Sequence, residues 1–116
     1  AAPELASNDF MESSALSHAC EYETSMMLCV NPHIVKMDLA EGSKPERGSA
    51  YYDPIGYVPS RVCVTEMFDH LSRTGALGSP ELANPEKGEK LFSLLTTSVV
   101  SFLRDFQKWP LPKPQP

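Results

Sequence analysis

The stretch Ser17-His18-Ala19-Cys20-Glu21-Tyr22-Glu23-Thr24-Ser25-Met26-Met27-Leu28 sets an imidazole and two carboxylates directly ahead of a helix. A helix starting near Tyr22 to Thr24 puts Glu21 and Glu23 in or beside its first turn, where unpaired N–H groups and the helix dipole favour negative charge. His18 then belongs to the preceding loop. On a continuous helix the five-residue step from His18 to Glu23 turns the two side chains well over a right angle apart, so they converge only if the chain bends at the small residues Ala19 and Cys20. Beyond the bend, Tyr22, Met26, Met27 and Val30 recur at three- and four-residue steps, which predicts one buried face, and Pro32 marks the end of a helix of about two to three turns. Glutamates are common in first turns and a loop histidine is commonly a surface residue. A metal centre needs three or more converging ligands, and His18 with Glu21 or Glu23 supplies two.

The clearest element lies at the other end. Asn84 is a good N-cap, Pro85 suits the first helical position and Glu86 complements the dipole. Leu91, Leu95, Val99, Phe102, Leu103 and Phe106 follow at steps of three and four, a stripe wide enough to pack on a sheet. Between the two helices, Arg61-Val62-Cys63-Val64-Thr65 reads as a strand and Ile34-Val35 as a weaker one. Residues 38–59 gather glycines and prolines around Tyr51, Tyr52 and Tyr57, a turn-rich loop with aromatic anchors. Such a long irregular middle is unusual in a compact domain, so it packs on other polypeptide or serves as a functional loop. Residues 1–14 carry few large apolar side chains and are expected to be loose. The tail, residues 110–116, alternates proline and cannot continue a helix, which predicts extended polyproline II.

A net charge of -5 without a Lys/Arg cluster argues against nucleic acid and against an anionic membrane surface. No apolar run approaches the roughly twenty residues needed to span a bilayer, and the first residues lack the pattern of a signal peptide. A soluble protein is expected. Cys20, Cys29 and Cys63 are odd in number and form no C-x-x-C, which fits a reducing, cytoplasmic setting. Cys29 sits among apolar neighbours and reads as buried. Cys20 lies close to His18, an arrangement that activates a thiol when a third group orients the pair, but no such group is evident. His33 and His70 lack partners at useful spacing.

Two blocks carry a resemblance. Residues 18–28, followed by Asn31-Pro32-His33-Ile34-Val35, resemble the H-[AG]-G-x-x-E-T-S-x-M-L and x-P-x-[LI]-V patterns of the creatininase (creatinine amidohydrolase) family. Residues 74–90, Thr-Gly-Ala-Leu-Gly-Ser-Pro-Glu-Leu-Ala-Asn-Pro-Glu-Lys-Gly-Glu-Lys, resemble the T-G-x-x-G-[DS]-P-x-x-A-x-x-E-K-G-E block that opens the C-terminal helix of that family. Together they cover about a third of the chain. The resemblance implies an α/β fold, the C-terminal half of a three-layer α/β/α sandwich over residues 1–109 with a proline-rich tail at 110–116. It implies a metal-dependent amidohydrolase, typically hexameric, that cleaves an amide or related C–N bond at a two-metal centre.

By the same resemblance His18 matches the histidine that contacts substrate and assists proton transfer, and Glu23 matches the glutamate of E-T-S that supports the site. Glu21 is a weak candidate metal ligand. Cys20 stands where the family usually has glycine, and Ser14 and Ala15 stand where creatinine-cleaving members carry Trp-Asp. The E-x-H and N-G-H-x-x-N-like metal motifs of the family's N-terminal half are absent from these residues. Divalent metal ions (zinc, manganese or iron) are therefore expected to be bound mainly outside this chain, by an N-terminal half or companion chain. The other partners expected are a small-molecule amide substrate and further copies in a homo-oligomer, with no nucleic acid and no membrane. The alternative is a non-catalytic interaction or structural subunit that retains the C-terminal part of the fold.

Overall fold

The structure, a computed structural model, describes residues 9–13, 16–45, 47–54 and 60–113. The expectations for residues 1–8, for Ser14 and Ala15, for Tyr57 and for the end of the tail lie outside them. Among the described residues three helices order the chain: α1 (Glu21–Val30), the single turn α2 (Phe68–Leu71) and α3 (Pro85–Phe106), with 3-10 turns at Pro32–Ile34, Met37–Leu39 and Pro80–Leu82.

Helix α1 begins at Glu21, a residue ahead of the expected start, because Cys20 is its N-cap. It stops at Val30, where Asn31 N–H closes on the Met27 carbonyl at 2.8 Å and Pro32 opens the next turn. Its buried residues are Glu21, Tyr22 and Ser25. Only Tyr22 of the four expected is among them: Met27 is 40% and Val30 64% exposed, and Met26 is half-buried. The reason is the closeness of α3. A Cβ added to Gly88 would lie 2.1 Å from the Ser25 carbonyl oxygen and 2.8 Å from Cys29 Cβ. The row Glu21, Ser25, Cys29, spaced by four, therefore meets α3, and small side chains set the crossing. Around this crossing Cys20, Tyr22 and Leu91 form the core, with Phe10, Met11 and Met26 packed against it.

Helix α3 starts as its sequence predicts: the Asn84 side chain accepts Lys87 N–H at 2.9 Å and Pro85 occupies the first position. Its stripe is buried only near the start. Leu91 is 1% exposed, whereas Val99, Phe102 and Phe106 are each more than half exposed. Lengths explain this, since ten residues of α1 extend about 15 Å and 22 residues of α3 about 33 Å. Past the crossing the helix ends in a cluster of rings, with Phe106 5.7 Å from Phe102 and 5.2 Å from Trp109.

No strand ladder forms among the described residues, so the sheet of the expected sandwich is not seen there. An isolated parallel bridge joins Ser43 and Leu77. Arg61–Thr65, expected as a strand, is exposed irregular chain, and the Arg61 and Val62 N–H groups turn to the Tyr51 carbonyl. Ile34, expected in a second strand, closes a 3-10 turn in which Val35 N–H bonds the Pro32 carbonyl. Both corrections have one cause: a strand needs a partner edge, and neither segment finds one. The tyrosine loop is instead pinned by side chains. Tyr52 donates to Glu66 at 3.2 Å, and Arg47 stands 3.4 Å from the same carboxylate.

The result is an open arrangement. The radius of gyration is 17.5 Å, against about 13 Å for a compact domain of this length.

Candidate functional site

The bend at His18 is held through its three carbonyls and the Cys20 amide. The His18 carbonyl accepts Leu77 N–H at 2.7 Å, the Ala19 carbonyl accepts the Thr24 hydroxyl at 3.3 Å, and the Cys20 carbonyl accepts Thr24 N–H at 3.0 Å. Cys20 N–H donates to Glu23 at 3.3 Å, the reach-back of a capping-box glutamate. The turn itself is made at Ala19, whose φ of 45° lies in the left-handed region. Cys20, at the position where the family usually has glycine, has φ -86° and needs no glycine.

From this fixed backbone the His18 ring stands exposed, with its centroid 5.5 Å from that of Phe68 and the planes at 77°, an edge-to-face pair. Glu23 is also exposed, and it reaches the bend through the Cys20 amide. Two surface hollows lie away from it: one of about 570 Å³ over residues such as Glu41, Lys44, His70 and Arg73, another of about 810 Å³ over the distal turns of α3.

Glu21 has a different fate. It is fully buried, and its carboxylate accepts Glu12 N–H at 3.1 Å, Ser13 N–H at 2.6 Å and a short contact from the Lys87 ammonium. Lys87, 7% exposed, also donates to Glu12 at 2.8 Å and to the Leu82 carbonyl at 2.7 Å. Burial pushes the Glu21 carboxyl up, but Lys87 with Ser13 and Glu12 outweighs burial and holds it below its ordinary value. For Lys87, burial pulls the ammonium down, and Glu12 and Glu21 together raise it above its ordinary value. The Glu21 oxygens are thus taken up by an internal ion pair rather than offered to a metal.

Among the described residues no three His, Cys, Asp or Glu side chains converge as a metal site. The residues present do not by themselves fit the metals that the resemblance implies. Cys20 is fully buried and its sulfur receives Ser17 N–H at 3.4 Å, so the thiol is packed into the bend and not presented to a substrate. His33 and His70 are exposed on separate turns.

Sequence reasoning missed Lys87, Ser25 and Gly88. These residues join the two blocks: Glu21 to Lys87, the Ser25 hydroxyl to Asn84 N–H at 3.2 Å, and the Ser25 carbonyl to Gly88. The first block carries two carboxylates, Glu21 and Glu23, and the second two lysines, Lys87 and Lys90, so the sequence alone did not single out the pair.

The site thus sets an exposed imidazole on a hydrogen-bonded bend. In a comparison with known families, the family model described as Creatininase: Creatinine amidohydrolase matches residues 2–103, which include both blocks. The chain belongs to the creatininase family, whose members are hydrolases of the amidohydrolase type. No curated protein and no solved structure gave a match.

Proposed function

We propose that this chain is part of a creatininase-type hydrolase that cleaves an amide or related C–N bond, with His18 as its proton-transfer group. The observation that carries the reading is the His18 bend, in which His18, Ala19 and Cys20 each have a backbone group hydrogen-bonded while the ring stands exposed against Phe68. Hydrolysis adds the oxygen of water to the carbonyl carbon and breaks the C–N bond, and the leaving nitrogen must acquire a proton. His18 supplies that proton as an imidazolium and recovers one from the attacking water. Glu23 acts on His18 indirectly, by fixing the Cys20 amide and with it the bend.

Divalent ions (zinc, manganese or iron) belong to this reading as a contribution from outside the chain, held by an N-terminal half or companion chain. Substrate, assembled with that half, would occupy the open side of His18. A homo-oligomer, hexameric as the resemblance implies, and a cytoplasmic setting complete the proposal. No helix among the described residues is long and apolar enough to cross a membrane.

The test is reconstitution. The chain is combined with the N-terminal half of a family member, metal content is measured, and hydrolysis of cyclic and linear amides is followed with and without chelator. The reading expects stoichiometric metal and chelator-sensitive turnover; stable assembly without either overturns it. A second reading, a non-catalytic interaction or structural subunit, is favoured by the bare apolar stripe from Val99 to Phe106. It expects assembly alone.

A further inference from the structure

We propose that Phe68 is a positioning residue that fixes the direction of the His18 imidazole, and that residues 68–77 act as a brace holding His18 by its backbone and its ring together. The inference rests on the assignment of His18 made above.

The contacts form a closed circuit. The His18 carbonyl is bonded by Leu77 N–H. One residue earlier, the Ala76 carbonyl accepts the Ser72 hydroxyl at 2.7 Å, and that hydroxyl also accepts Gly75 N–H at 2.9 Å. Ser72 is buried, and its own N–H returns to the Phe68 carbonyl at 2.9 Å. The Phe68 ring then meets the His18 ring.

Each link has a physical role. The bonds at Leu77 and Ser72 fix where the Phe68 backbone lies relative to the bend. The edge-to-face contact restricts rotation of the imidazole, because two aromatic rings in contact favour offset or T-shaped packing and turning the ring away gives that contact up. An exposed histidine without such a neighbour samples its staggered rotamers freely. Phe68 itself is 43% exposed, so a short apolar wall stands beside the ring on the surface where substrate would sit. The brace is seated in turn on residues 41–43. Ser43 N–H bonds the Ala76 carbonyl at 3.2 Å, and a Cβ on Gly42 would fall 1.7 Å from the Gly78 carbonyl oxygen.

Two measurements test this separately from the assignment of His18. The chain has three histidines, so each imidazole is resolvable by NMR, and His33 serves as an internal reference. A ring-current displacement of the His18 carbon-bound protons is expected, lost in Phe68→Leu, retained in Phe68→Tyr and reduced in Ser72→Ala. In the reconstituted assembly Phe68→Leu is expected to lower kcat about ten- to a hundredfold with KM little changed, and Phe68→Tyr to restore it. His18 resonances unmoved by Phe68→Leu overturn the proposal, as does a lost displacement without lost turnover. Unchanged turnover in His18→Ala would instead remove the proton-transfer assignment, a separate result.

Discussion

Replacing Lys87 by Met tests the joint between the two helices. The change keeps most of the side chain's volume and removes the ammonium, so the Glu21 carboxylate, 0% exposed, is left with only the Glu12 and Ser13 N–H groups. Stripping one partner from a buried ion pair costs about 3–5 kcal/mol. Glu21→Gln should cost less, because Lys87 keeps the carboxylate of Glu12 and the Leu82 carbonyl; a loss of about 1–3 kcal/mol is expected for the remaining imperfectly paired group. The double variant Glu21→Gln/Lys87→Met should recover part of the sum, since neither charge is then stranded. Urea unfolding followed by helical circular dichroism measures all three. The pH profile adds a signed check. Glu21's folded-state pKa is depressed, so its contribution is present above the unfolded value of 4.5 and is lost as pH falls through the folded value. Lys87's folded-state pKa is raised, so its contribution is present below 10.5 and is lost as pH rises through its folded value. In Lys87→Met the acid limb should flatten, because burial then opposes ionisation of Glu21 with less to offset it. A loss below about 1 kcal/mol in Lys87→Met, in the range of exposed pairs, with an unchanged acid limb would refute the reasoning.

Three further outcomes follow from the same geometry. Gly88→Ala should destabilise by about 1–3 kcal/mol by forcing α1 and α3 apart, despite a helix-propensity gain of about 1 kcal/mol; an increase in urea midpoint would contradict the crossing. Ala19→Gly should be neutral to stabilising by about 0.5–1 kcal/mol, because relief of a left-handed alanine exceeds the extra entropy of an unfolded glycine; Ala19→Val should move the midpoint the other way. His18→Ala should cost no more than about 1.5 kcal/mol, the upper worth of its edge-to-face pair with Phe68, since its ring is exposed and the bend is held through the backbone; a larger loss would make His18 a structural residue.

How much of this was legible in the sequence differs from element to element. Helix α3 was read correctly at its start because capping chemistry is local: Asn84, Pro85 and Glu86 act within one turn. The bend before α1 was legible too, since small residues between His18 and Glu23 left nowhere else to turn. The burial of α1 was not. Periodicity marks an apolar face, but Gly88 brings α3 against the Ser25 side, and only the crossing reveals that Glu21 rather than Val30 is inside. Residues 61–65 have the composition of a strand, yet pairing is a property of two segments, and the Arg61 and Val62 N–H groups found the Tyr51 carbonyl instead. At the site, the family pattern named His18 and Glu23. It did not disclose that Glu23 accepts from the Cys20 amide, or that Glu21 belongs to Lys87, a partner too distant in sequence to leave a periodic trace.

The most direct test of the central claim is turnover by the reconstituted, metal-supplied assembly carrying His18→Ala, measured beside an unfolding curve of the same variant. A proton-transfer role predicts a loss of about 10²–10⁴-fold in kcat with the fold retained. Parental turnover in that variant would contradict the account.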